Sequence, residues 1–107
     1  MKVKEFQERV FAWAKAKGWT ERKVEIPEQC ALIHSKITEA LEAWRNNEPL
    51  SWTDENGKPQ GIGSEYADAI IRIFHYASLL GLDMEEELER KATYNDTRAY
   101  RHGGKQG

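Results

Sequence analysis

Two pairs of acidic residues carry the chemistry that this sequence can be asked about first. Glu39 and Glu42 lie three residues apart, as do Glu65 and Asp68. On helices, each pair projects from one face, about one turn and roughly 60° apart. If the two faces meet, the carboxylates repel by about 4 kcal/mol per close pair at an effective dielectric near 20. That is a large share of the roughly 5–15 kcal/mol that holds a domain together. Such a cluster calls for a cation, and oxygen-only ligands with open positions favour Mg²⁺, with Mn²⁺ as a substitute. The plainer reading is a solvated acidic face on each helix, with Asp68 pairing Arg72 one turn on.

A second set is positive. Lys91, Asn95 and Arg98 follow the i, i+4, i+7 spacing of one helical face. An ammonium, an amide and a guanidinium on one stripe suit a polyphosphate, with Arg101, His102 and Lys105 adding charge from the tail. The alternative is a solvated last turn whose basic groups complement the helix dipole. Trp19, Trp44 and Trp52 are candidates for stacking on a nucleobase, although packing in a core or between subunits explains each as well. His34 and His75 read as ordinary helix residues, and His75 shares the acidic face of Glu65 and Asp68. Asp54-Glu55-Asn56-Gly57 lacks the later ligands of a calcium loop and reads as a turn. Cys30 sits on an apolar stripe and reads as a small buried hydrophobe.

These side chains need elements to hold them. Apolar residues recur at helical spacing in four segments, and no stretch alternates as a half-buried strand does. Val3, Phe6, Val10, Trp13 and Ala14 mark a first helix over 3–17, stopped by Gly18. Pro27 opens a second over 27–45, its apolar face formed by Cys30, Ile33, Ile37, Leu41 and Trp44. A third begins after Gly63 with Ser64 as its cap, buries Ala67, Ile70, Ile73, Phe74 and Ala77, and stops at Gly81. Asp83-Met84-Glu85-Glu86 reads as a capped start to a fourth, ending near Tyr94 or Arg98, with Met84, Leu88 and Ala92 inward. Between the second and third helices, residues 46–63 form a long, turn-rich loop of the kind that carries function or is disordered. Residues 99–107 read as a mobile basic tail.

At 107 residues, the chain has room for one domain, an all-α bundle of four helices. Its four Trp, four Tyr and three Phe give it too much apolar payload for a disordered chain. No apolar run is long enough for a membrane span, no signal peptide is evident, and one cysteine excludes an internal disulfide; the expected setting is cytoplasmic. The net charge of −2 argues against general nucleic-acid binding. That charge divides unevenly: from Lys91 onward four basic residues face Asp96 alone, giving +3 and leaving −5 for residues 1–90.

The ordered set is familiar as a whole. Ala31 to Arg45 contains Glu39-x-x-Glu42, Gly63 to Ile73 contains Glu65-x-x-Asp68, and Lys91 to Gly103 contains Lys91-x-x-x-Asn95-x-x-Arg98. From about Pro27 to Lys105 the chain resembles the MazG-like all-α nucleotide pyrophosphohydrolases, particularly their small single-domain members. The resemblance implies Mg²⁺-dependent cleavage of a nucleoside triphosphate to monophosphate and pyrophosphate, serving to clear particular nucleotides from the pool. It implies metal ligands at Glu39, Glu42, Glu65 and Asp68, with Glu39, Glu65 and Asp68 catalytic and Lys91, Asn95 and Arg98 on the phosphates. It also implies a bundle completed by assembly into a homodimer or homotetramer. One position departs from the pattern: residue 36, where the family's first acid is expected, is Lys. An ammonium there either swings outward or neutralises the acids in place of a metal, which leaves a weakened relative that binds nucleotides or a protein partner as the alternative.

Overall fold

The computed structural model describes residues 2–99. Four helices, α1 (Val3–Ala16), α2 (Ile26–Arg45), α3 (Ile62–Leu79) and α4 (Met84–Asp96), account for about two thirds of them. The sequence-based expectation of four helices holds, with one addition. Within the 46–63 loop, strands β1 (Trp52–Thr53) and β2 (Pro59–Gln60) pair antiparallel, Trp52 opposite Gln60 and Thr53 opposite Pro59. Two-residue strands are too short to leave an alternating pattern, so periodicity does not reveal them.

The residues around the turn explain the hairpin. The Asp54 carboxylate accepts from the backbone N–H groups of Asn56 and Lys58, and Asp54 N–H donates to Lys58 C=O at 2.9 Å. The Lys58 N–H first, and then the Gln60 side-chain amide, hold the Asp54 carboxyl below its ordinary pKa. The return strand runs into α3 through Gly61, not Ser64, as the residue before the helix. Gly61 has φ +97°, and a Cβ there would lie 2.6 Å from Pro49 O and 2.7 Å from Leu50 O. Backbone contact at that point fixes where α3 begins.

α1 meets its expectation. Val10 and Ala14 are buried, and Phe6 packs edge-on against Phe74 of α3 with ring centroids 5.5 Å apart. Gln7, which the apolar pattern passes over, is also buried: its amide donates to Ser78 Oγ and Leu82 O, and its carbonyl accepts from Met84 N–H. One side chain thus ties α1 to the α3–α4 turn and satisfies a donor at the start of α4. Asp83 caps α4 as expected, its carboxylate accepting from Glu86 N–H at 3.2 Å.

The expected inner face of α2 is corrected. Buried on α2 are Gln29, Ala40 and Ala43, while Ile37, Leu41 and Trp44 are 50%, 42% and 64% exposed. Cys30 is exposed too. On α3, Phe74 and Ala77 are buried as expected, but Ala67, Ile70 and Ile73 face outward; on α4, Leu88 and Ala92 are exposed. α2 and α3 pack along each other, and the alanines buried on them, Ala40, Ala43 and Ala69, are small enough to let the backbones come close. Ile37, Leu41 and Trp44 instead line an apolar groove with Ile62 and Tyr66.

The Gly61 contact yields a prediction. Gly61→Ala adds a clash with two backbone carbonyls to an unfavourable φ, an expected loss of about 2–4 kcal/mol. Gly57→Ala, at φ +81° with nothing within 4 Å of the new methyl, should lose only about 1 kcal/mol. Urea unfolding of the two variants measures the difference.

Candidate functional site

α2 and α3 bring three of the four anticipated acids together. Glu39 projects from α2, and Glu65 and Asp68 from the first two turns of α3. Lys36, one helical turn before Glu39, points into this group and not away from it. Its ammonium donates to Glu39 Oε2 at 2.9 Å and lies 3.7 Å from Asp68 Oδ2, with the side chain only 18% exposed. Lys36 therefore bridges the two helices. The hydrogen bond to Glu39 holds its pKa above the ordinary lysine value.

The acids respond unequally. Glu65 has its pKa pushed up to about 7, first by burial and then by the adjoining Glu39 carboxyl. Glu39 is held below the ordinary carboxylate range by the Glu65 carboxyl beside it and by Lys36. Two neighbouring carboxyls whose affinities for a proton are driven apart share their charge in this way. Arg72 adds a second positive group near Glu39, and its guanidinium donates to Leu32 O across the helix pair. Asp68 accordingly pairs with Lys36 of α2, whereas the sequence offered Arg72 as its partner.

Glu42, the fourth proposed ligand, is drawn into an exposed ion pair with Arg45 at 2.7 Å. Among the described residues it makes no hydrogen bond or ion pair to the other acids. Lys91 and Asn95 are exposed on α4, which packs against α1, and Arg98 is exposed two residues past the end of that helix, so the expected single helical face of three is not completed. Lys91 Nζ and Arg98 Cζ lie 5.5 and 5.7 Å from the Tyr94 ring centroid, and no ion pair or hydrogen bond among the described residues joins them to the acids. Arg101, His102 and Lys105 lie outside the described residues.

A cavity of about 420 Å³ opens beside the cluster, with Lys36 and Asp68 in its wall. Trp19, Leu32, Arg72 and His75 also line it. Trp19 stands 6.2 Å from His75, ring centre to ring centre, at 45°. His75 is buried, its pKa lowered by that burial, and its Nε2 has no hydrogen-bond partner. Of the three tryptophans considered for stacking, Trp19 is the one at this cavity. Trp44 borders the apolar groove, and Trp52 donates to Glu48 from the hairpin. Arg22, which the sequence did not single out, also borders the cavity and is held by a two-point contact with Glu28.

The carboxylates suit a hard divalent ion in type and number, and the buried Glu65 Oε2 has no partner, as an acceptor awaiting one would. As the side chains stand, however, no three acids, histidines or cysteines among the described residues close on one ion, and the Lys36 ammonium holds the centre. The donors therefore suit such an ion in kind, while their arrangement around Lys36 does not close on one. Compared with known proteins, the chain matches no family model, no curated protein and no solved structure. Among the described residues no helix is long and apolar enough to cross a membrane.

The Glu65 shift has a consequence for stability. Its folded pKa of about 7 lies above the ordinary 4.5, so between those values the folded chain holds a proton that the unfolded chain releases. This contribution is complete below the unfolded value and is lost as pH rises through the folded one. In metal-free buffer, stability should fall by on the order of 1–3 kcal/mol between about pH 5 and pH 8. Thermal melting of wild type against Glu65→Gln checks this, because the variant should lose most of that slope.

Proposed function

We propose that the protein is a divalent-metal-dependent nucleoside triphosphate pyrophosphohydrolase of the MazG-like kind. The observation that carries the proposal is the meeting of Glu39, Glu65 and Asp68, from two helices, beside a cavity whose wall includes Asp68 and an aromatic ring. The ordered motifs of the sequence support it independently.

Glu39, Glu65 and Asp68 would hold the ion, which when bound supplies Lewis-acid polarisation of phosphate oxygens and a water of lowered pKa. The chain's own groups do the rest. Arg72 and the freed Lys36 offset negative charge on the phosphates at the cavity wall. Trp19 offers a face for the base, and His75 a ring nitrogen for its edge. Water adds at the α-phosphorus, the bond to the bridging oxygen breaks, and pyrophosphate leaves. No side chain stands apart as a separate base, so a carboxylate oxygen of the cluster that the ion leaves free takes the water's proton.

Assembly belongs to the same proposal. Ile37, Leu41, Trp44 and Tyr66 are exposed and line one apolar groove. The radius of gyration, 16.6 Å, exceeds the roughly 13 Å of a compact chain of this length. A second copy covering that groove would make a homodimer or homotetramer and bring Lys91, Asn95 and Arg98 of a neighbour to the phosphates.

A second reading rests on Lys36. With its ammonium between Glu39 and Asp68, the protein would bind nucleotides and turn them over poorly or not at all. Pyrophosphate release from all eight common NTPs and dNTPs, with Mg²⁺ and with Mn²⁺, separates the readings. The proposal expects metal-dependent release with at least one substrate, reduced about 100-fold or more by Glu65→Ala or Asp68→Ala. Nucleotide-induced thermal stabilisation without any release would favour the second reading. For assembly, Leu41→Glu combined with Trp44→Glu should shift sedimentation from oligomer to monomer; an unchanged profile would refute the interface.

A further inference from the structure

We propose that Lys36 is a resident counter-ion of the acidic cluster, occupying the position that a divalent cation takes and so weakening binding of that cation to the free protein. The inference deepens the metal-dependent reading above and rests on it for the identity of the cluster, but not for any catalytic step.

Its grounds are geometric. The ammonium lies within 4 Å of one carboxylate oxygen from each helix, Glu39 Oε2 at 2.9 Å and Asp68 Oδ2 at 3.7 Å. Its stem lies along the cavity wall, leaving the side chain 18% exposed, while the two carboxylates that it meets stay about half exposed. A divalent ion at the same place would have two carboxylates already satisfied and a positive charge beside it. The two cations therefore exclude each other. Lysine suits such a part because its flexible four-carbon stem can carry the charge away from the acids, as a bidentate guanidinium could not easily do. Glu65 Oε2, buried and unpartnered, is the acceptor that the ammonium leaves unused.

Binding of Mn²⁺ to the substrate-free protein, followed by the electron paramagnetic resonance of free Mn²⁺, tests this without turnover. Lys36→Met is expected to bind Mn²⁺ at least tenfold more tightly than wild type, and Lys36→Gln to do the same if the Met variant does not fold. Lys36→Glu should bind more tightly still, whereas Lys36→Arg should stay near wild type. Adding Glu65→Gln to Lys36→Met should cancel the gain, which places the ion at this cluster. Equal Mn²⁺ affinity in wild type and a folded Lys36→Met or Lys36→Gln variant overturns the proposal, as does a gain that survives Glu65→Gln. An absence of pyrophosphohydrolase activity would count against the enzyme reading alone, because the Mn²⁺ measurement uses no nucleotide.

Discussion

Like charges brought together by helix packing need something between them, and the rest of the site follows from how this chain meets that need. Small residues at Ala40, Ala43 and Ala69 allow α2 and α3 to lie close. Closeness places Glu39 against Glu65 and Asp68. Two devices reduce the resulting repulsion. Lys36 reaches across from α2 to Asp68, and Glu65 keeps its proton to near neutrality while Glu39 gives its own up. Both are responses to one geometry, and a cation entering from outside would compete with both.

Along the same helix pair two hollows follow one another. One draws Leu32 and Lys36 of α2 together with Asp68, Arg72 and His75 of α3, and it is edged with charge. The other draws Ile37, Leu41 and Trp44 together with Ile62 and Tyr66, and it is largely apolar. The two hollows thus differ in chemistry, one charged at its edge and the other apolar.

Much of the fold was legible in the sequence. The first helix, Pro27 at the start of the second and the Asp83 cap all depend on interactions within a few residues, which spacing records directly. The apolar stripe of α2 was legible as a stripe but not as a location. Periodicity marks a face that seeks cover and says nothing of whether its own chain or another supplies it. Gln7 stayed hidden because its partners, Ser78, Leu82 and Met84, lie more than 70 positions away. At the site, the pairing of acidic motifs anticipated the cluster, and the basic residue at position 36 stood out as a departure. Which way it turned was not written in the spacing, since a lysine can lie along a helix in several directions. Glu42 was lost to Arg45 three residues on, a local competitor. Of the basic stripe, Lys91 and Asn95 lie on α4 while Arg98 falls just past its end, and nothing in a single chain's spacing tells which neighbour these residues meet.

The close contact of Gly61 with Pro49 and Leu50 acts as a ruler for the helix that follows. Glu65 N–H donates to Gly61 O in the opening turn of α3, so the angular phase of that helix is set from this point. A residue gained or lost between Gly61 and Glu65 would rotate the later side chains by about 100° and carry both acids off the shared face. A residue gained at the hairpin tip, between Asp54 and Lys58, would be absorbed before the ruler is reached. The geometry therefore tolerates a change of length at the tip and does not tolerate one between Gly61 and Glu65.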